Sequence, residues 1–357
     1  MSKHPKDWTE AHVNGDAAIR EAADKVWTEE LKIDPEPKWW RNQVFTAAEL
    51  QKKTFEPVKF IVPQLIPEGL TLLCGRPKVG KSWAALEIAV SVAMSDAFTC
   101  FGGRETIKGH VLYAALEDNQ RRLQRRMDKL LSPFTTEWPE GLTLSTAWKR
   151  LDQGGVADIA DWIRGAKEPR LVILDTLAGV KPIRTTAGYA EDYESLTKLH
   201  RLANEVGIGV LVLHHTRKMD AEDPLDTISG TLGLAGCADT ALVLAGTSHG
   251  MSLYVRGRDI EEADHAVTFN KTTCRWSIVG DAAEVQRSDT RTKILAVLLR
   301  TKGTIGPAEI AAEAVLKEVV VRNRLGDMVA AGEVVKVGRG AYQHPSLPVP
   351  EEAIPRR

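Results

Sequence analysis

Between about Val58 and Val279 the chain alternates short unbroken apolar runs with longer stretches whose apolar residues recur at helical spacing. The short runs predict strands at 70–74, 110–116, 142–145, 171–175, 208–213, 240–245, 252–256 and 266–270. The helical spacing predicts helices at 81–94, 119–131, 155–165 and 190–206. Continuous apolar strands separated by helices imply an α/β fold, with a mostly parallel sheet covered on both faces and a core spanning 57–282. Residues 1–56 are polar and interrupted, with one helix predicted near 16–31 followed by Pro35, Pro37 and the pair Trp39-Trp40, and read as an N-terminal arm. The tryptophan pair suits packing onto its own domain or docking on a neighbouring subunit.

Beyond Val279 the rhythm changes. Residues 287–345 predict three helices, at 289–300, 307–313 and 316–331, then a hairpin of 333–337 and 341–344 around Gly338-Arg339-Gly340. Three helices and a hairpin make a small α+β winged-helix domain, and the proline-rich stretch 346–357 is predicted to be disordered.

Chemistry concentrates first at 69–90, GLTLLCGRPKVGKSWAALEIAV. An apolar strand runs into Gly75-Arg76-Pro77-Lys78-Val79-Gly80-Lys81-Ser82, and a helix follows from Lys81, with Trp83 the next residue. The spacing is that of a phosphate loop, in which backbone N–H groups and a helix N-terminus surround the phosphates of a nucleoside triphosphate. Lys81 then reaches the β and γ phosphates, Ser82 binds Mg²⁺, and the glycines let the backbone approach phosphate oxygens. The cofactors implied are ATP and Mg²⁺.

Three further predicted strands end on polar residues, where open α/β sheets build their sites. One is followed by Glu117 and Asp118, another ends on Asp175, and a third runs into His214 and His215. Asp175 is the expected partner of Ser82 in holding the metal. Glu117 suits activation of the attacking water, with Asp118 capping the basic helix that follows; as a plain alternative, both acids simply favour the first helical turn. A histidine beside the phosphate loop suits detection of the γ phosphate, a core or capping role being the alternative.

Composition narrows the class. Hydrophobic residues make up 43% and charged residues 27% of 357 residues, the balance of a soluble globular protein, and no apolar run approaches a membrane span. The N-terminus shows no apolar leader, so a cytoplasmic location is expected. Cys74, Cys100, Cys237 and Cys274 are far apart, which argues against zinc and against a disulfide framework. Basic and acidic residues balance at 47 and 48, so any nucleic-acid contact must come from local clusters. One such cluster is 287–344, with ten Lys or Arg against six Asp or Glu.

The ordered set GRPKVGKS, LYAALED, LVILDT, LVLHHTRK, GTLGLAGCADTALVL and YVRGRD resembles the RecA-like ATPases, and within them the RepA-type hexameric helicases of plasmids and phages. The resemblance covers about 58–280. It implies that Asp175 is the Walker B acid, Glu117 the water-activating base, and His214 or His215 the γ-phosphate sensor. It also implies a homohexameric ring whose ATP lies between subunits, with Arg256 or Arg258 supplied in trans as an arginine finger; a plain surface ion pair is the alternative for Arg258. Single-stranded DNA would run in a central channel past loops holding Lys181, Arg184, Arg217 and Lys218, although Asp220, Glu222, Asp223 and Asp226 in the second loop oppose a phosphate backbone. The winged helix offers Lys317, Arg322, Asn323, Arg324 and Arg339 for duplex DNA. The expected function is an ATP-driven DNA motor, with an ATP-switched replication regulator or a recombinase-like filament as alternatives.

Overall fold

A computed structural model describes residues 44–94, 98–182, 189–217, 223–228, 236–247, 250–301 and 303–347. The chain divides into two compact units, 1–57 and 58–357. In the first, the helix Ala47–Gln51 is closed by a capping box between Thr46 and Glu49. The helix expected at 16–31, the pair Trp39-Trp40 and the tail beyond 347 lie outside the described residues.

The second unit opens with a short antiparallel pair, β1 (Phe60–Val62) and β2 (Ile66–Pro67). Its centre is a sheet built from β3 (Gly69–Gly75), β4 (His110–Ala115), β5 (Leu142–Ser145), β6 (Pro169–Asp175), β7 (Gly209–His215), β8 (Thr240–Thr247), β9 (Gly250–Gly257), β10 (Ala263–Asn270) and β11 (Arg275–Asp281). The nine strands run in the order β11-β10-β9-β8-β3-β7-β6-β4-β5. From β8 to β5 all neighbours are parallel, and β9, β10 and β11 add an antiparallel flank. The fold is therefore the expected α/β type, a large mostly parallel sheet consistent with a RecA-like P-loop core.

Every residue of β3 is buried, because helices cover both faces. Side chains alternate along it: Leu70, Leu72 and Cys74 face the cluster under helices Gly155–Gly165 and Tyr189–Val206. Leu73 faces the other cluster, under Lys81–Met94 and Gln120–Leu131. The four cysteines are free and buried, and burial pushes the thiols of Cys74 and Cys100 up to about 12.

The antiparallel flank departs most from expectation, since β11 was not foreseen and the helix expected at 289–300 begins at Ala282. Arg275 and Trp276 open β11, and both reach Glu87 in the middle of the helix Lys81–Met94: Arg275 Nε donates to Oε1 at 3.1 Å and Trp276 N to Oε2 at 2.8 Å. Glu87 has no solvent exposure, and burial pushes its carboxyl up to about 7 in spite of those donors.

The last segment follows β11 directly. Helices Ala282–Arg300, Pro307–Ala314 and Glu318–Ala330 bury Ile294, Val297, Leu298, Ile310, Val321, Leu325 and Met328 against one another. A hairpin of β12 (Val335–Gly338) and β13 (Ala341–Gln343) closes it, with Ile305 bridging to Tyr342 as a further short rung.

Candidate functional site

The phosphate loop lies between β3 and the helix Lys81–Met94 at the carboxyl end of the parallel strands. Lys78 takes φ +64° and Gly80 φ +107°, left-handed conformations that turn the backbone sharply into the helix. The glycines also answer to packing. A Cβ on Gly75 would come within 2.6 Å of the Leu244 carbonyl, and one on Gly80 within 2.7 Å of the Trp276 ring. Trp276 sits directly behind the loop and donates its indole N–H to the Gly80 carbonyl at 3.3 Å.

Lys81 is only 5% exposed, and its ammonium folds back on the loop, donating to the carbonyls of Gly75 at 2.7 Å and Arg76 at 3.1 Å. Burial pushes it below the usual lysine range, against the pull of Asp175 and Glu117. His215 Nδ1 lies 3.3 Å from Lys81 Nζ, and its Nε2 lies 3.7 Å from Glu117 Oε1. The register explains why: β7 places His215 opposite Gly75 and His214 opposite Cys74, one step below the loop. The geometry therefore picks out His215 and not His214 as the histidine between lysine and glutamate.

Asp175 closes β6 and is buried. Tyr113, buried on the neighbouring β4, donates its hydroxyl to Asp175 Oδ2 at 2.8 Å. Burial pushes the Asp175 carboxyl up, opposed by the Tyr113 and Ser82 hydroxyls, while its Oδ1 has no hydrogen-bond partner. A buried carboxylate oxygen left bare beside a serine at the helix start is the donor set a hard divalent cation takes, so Ser82 and Asp175 fit Mg²⁺.

Glu117 is exposed at the exit of β4 and accepts from the Thr176 hydroxyl at 2.9 Å. Its neighbour Asp118 is not the helix cap. That role belongs to Asn119, whose side chain accepts from Arg122 N at 2.9 Å. Asp118 instead holds two arginines, Arg122 at 2.9 Å and Arg126 at 2.5 Å. Both carboxylate oxygens of Asp118 face guanidinium groups, while the backbone N–H at the helix start is met by Asn119. The Arg126 guanidinium in turn lies over the Trp83 ring, 5.4 Å from its centroid. Tyr113, Thr176, Trp276 and Arg126 escaped the sequence reading; the polar tyrosine in an otherwise apolar strand was the one local signal.

The structure does not bring Arg256 or Arg258 to this cluster. Arg256 stands opposite Ala241 in the register of β8 and β9, and pairs with Asp223 at 3.2 Å and Glu262 at 3.7 Å. Arg258 lies at the far end of the sheet, where its backbone N–H bonds the Asp239 carbonyl and its guanidinium the Asp239 carboxylate at 3.0 Å. Asp239 also accepts from Leu70 N at 2.9 Å and contacts His200 Nε2 at 2.9 Å.

Of the residues expected at DNA, Arg184 and Lys218 lie outside the described residues. Lys181 is half-buried, and Arg217 is exposed beside the loop in a cavity that also holds Arg76 and Thr216. On the helix Glu318–Ala330, Arg322 pairs with Glu318 at 2.5 Å and Arg324 with Asp327 at 2.8 Å, while Lys317, Asn323 and Arg339 are exposed. Among the described residues no group of three or more metal-ligating side chains occurs, and no helix is long and apolar enough to cross a membrane.

A phosphate loop, a buried lysine, a bare aspartate oxygen and a strand-end glutamate on one sheet edge define a P-loop ATPase. Residues 37–221, more than half of the chain, match the family model described as AAA domain, and the protein belongs to that family. A search of curated proteins returns no match. Among solved structures the chain is similar to one described as an ATPase domain, with 14% identity and a TM-score of 0.46, over 74% of this chain and 98% of that one.

Proposed function

We propose that the protein is an ATP-hydrolysing DNA motor that works as a ring, a replicative helicase of the RepA type serving phage or plasmid replication. The observation that carries this reading is the convergence of Lys81, Ser82, Glu117, Asp175 and His215 on one edge of the sheet, with Asp175 Oδ1 bare. Lys81 would exchange its carbonyl partners for the β and γ phosphates, and Ser82 and Asp175 would hold Mg²⁺. When bound, that ion would supply charge neutralisation at the phosphates. Glu117 orients and deprotonates the attacking water, and the Thr176 hydroxyl fixes its carboxylate. His215, touching both Lys81 and Glu117, reports the γ phosphate to the stretch that follows β7.

Neither Arg256 nor Arg258 serves its own subunit's phosphates, so in a ring they would act on a neighbour's. Arg256 is the better finger because its partners are exposed and a screened surface pair costs little to leave. If so, mixing Lys81→Ala with Arg256→Ala subunits restores part of the lost hydrolysis; no recovery would place the arginine elsewhere.

The carboxyl-terminal helices and hairpin read as a winged helix that adds a duplex contact through Lys317, Asn323 and Arg339. An ATP-switched regulator that depends on this unit for its grip is less favoured, since Lys81, Glu117 and Asp175 together make a full hydrolytic set, which a switch that only binds ATP does not need. The reading is tested by strand displacement on forked and blunt duplexes with and without ATP. ATP-dependent displacement that Lys81→Ala abolishes is expected; ATP hydrolysis without displacement would favour the regulator.

A further inference from the structure

The helix Gln120–Leu131 is strongly basic, and the structure divides its cations into two sets. Arg122 and Arg126 are held by Asp118. Arg121, Arg125 and Lys129 are exposed, and among the described residues none of them has an ion-pair or hydrogen-bond partner. They recur every fourth residue, so they form one row with a step of about 6 Å along the axis, close to the step between phosphates of an extended strand. Asp128 lies on the same face and pairs with none of them, which leaves the row net positive.

At the Arg121 end of this row lies a groove of about 730 Å³ between the helix and the stretch 138–147 around β5. Gln124 and Arg121 line one wall, and Trp138, Ser145 and Thr146 the other. Trp138 is 38% exposed although a large aromatic ring is ordinarily covered. A cationic row that leads to an open indole at its Arg121 end, with amide and hydroxyl groups alongside, suits the two things a single strand offers: regularly spaced phosphates and unstacked bases. A duplex supplies the phosphates but keeps its bases paired.

We propose that the outer face of this helix and its groove bind single-stranded nucleic acid, with phosphates on Arg121, Arg125 and Lys129 and a base stacked on Trp138. This contact uses none of the residues that follow β6 or β7, and it does not require the ring. The helix begins three residues after Glu117, so a bound strand is placed to act on the hydrolytic edge.

The test is fluorescence anisotropy of the full chain with a labelled oligothymidylate over a series of salt concentrations. The triple variant Arg121→Glu, Arg125→Glu, Lys129→Glu should lose at least about tenfold in affinity, and its slope of log affinity against log salt should flatten by about 2. Trp138→Ala should lose roughly fivefold to a hundredfold, and Trp138→Phe should keep most of the affinity. Basal ATP hydrolysis should be unchanged in all of them, which reports an intact fold. Equal affinity and slope in wild type and variants would overturn this inference alone, and no binding by wild type would overturn it together with the DNA motor. A duplex that binds as tightly and ignores Trp138→Ala, or an acidic peptide that displaces the strand as well as oligothymidylate does, would also overturn it.

Discussion

Asp175 and Asp239 are both buried aspartates at the ends of strands in one sheet, and they are treated oppositely. At the amino end Asp239 is saturated: Leu70 N–H, the His200 ring and the Arg258 guanidinium all reach its carboxylate. At the carboxyl end Asp175 accepts from Tyr113 at Oδ2 and has the Ser82 hydroxyl nearby, yet Oδ1 has no partner and burial pushes its pKa up. Burying a charge is tolerable when it is paired and costly when it is not. One end of the sheet is therefore finished as structure, and the other keeps a buried carboxylate oxygen unpaired, where the proposed Mg²⁺ and triphosphate would bind.

That contrast makes claims of different size. The largest concerns Glu117, which is exposed and whose carboxylate, among the described residues, touches Thr176 and His215. Glu117→Gln should bind ATP normally in a titration but slow its turnover by about 10² to 10⁴. Lost binding would move Glu117 from chemistry to structure. Next comes Asp239→Ala, which strips a partner from a buried backbone N–H as well as from His200 and Arg258. A loss of about 2–3 kcal/mol in denaturant unfolding is expected, with ATP affinity per folded molecule unchanged. Smallest is Arg258→Ala, since its side chain is 58% exposed and surface pairs give about 1 kcal/mol or less. If Arg258→Ala cost as much as Asp239→Ala, the amino end would be held by the ion pair and not by the buried N–H.

How much of this was legible in the sequence follows the range of the interactions. The phosphate loop and its helix were readable because the motif is local, and the predicted 81–94 coincides with Lys81–Met94. Glu117, Asp175 and His215 were readable as strand ends, because unbroken apolar runs mark where a buried parallel strand stops. Their convergence needed the strand order, which the sequence does not state. What stayed hidden is long-range or ambiguous. Trp276 bonds Gly80 across 196 positions, and nothing near Trp276 announces it. Arg258 is readable as a finger or a surface pair, and its partner Asp239, 19 positions away, is not announced by the sequence. Asp118 and Asn119 are both capable caps, and only the placement of Arg122 and Arg126 shows which one is free to cap.

The most direct test of the contrast is Asp175→Asn, measured for Mg²⁺-dependent ATP hydrolysis and for thermal unfolding on the same preparation. Removing a strained buried charge while keeping the shape should abolish hydrolysis and leave the melting temperature unchanged or raised. Hydrolysis that survives, or a melting temperature that falls as far as it does in Asp239→Ala, would contradict the account.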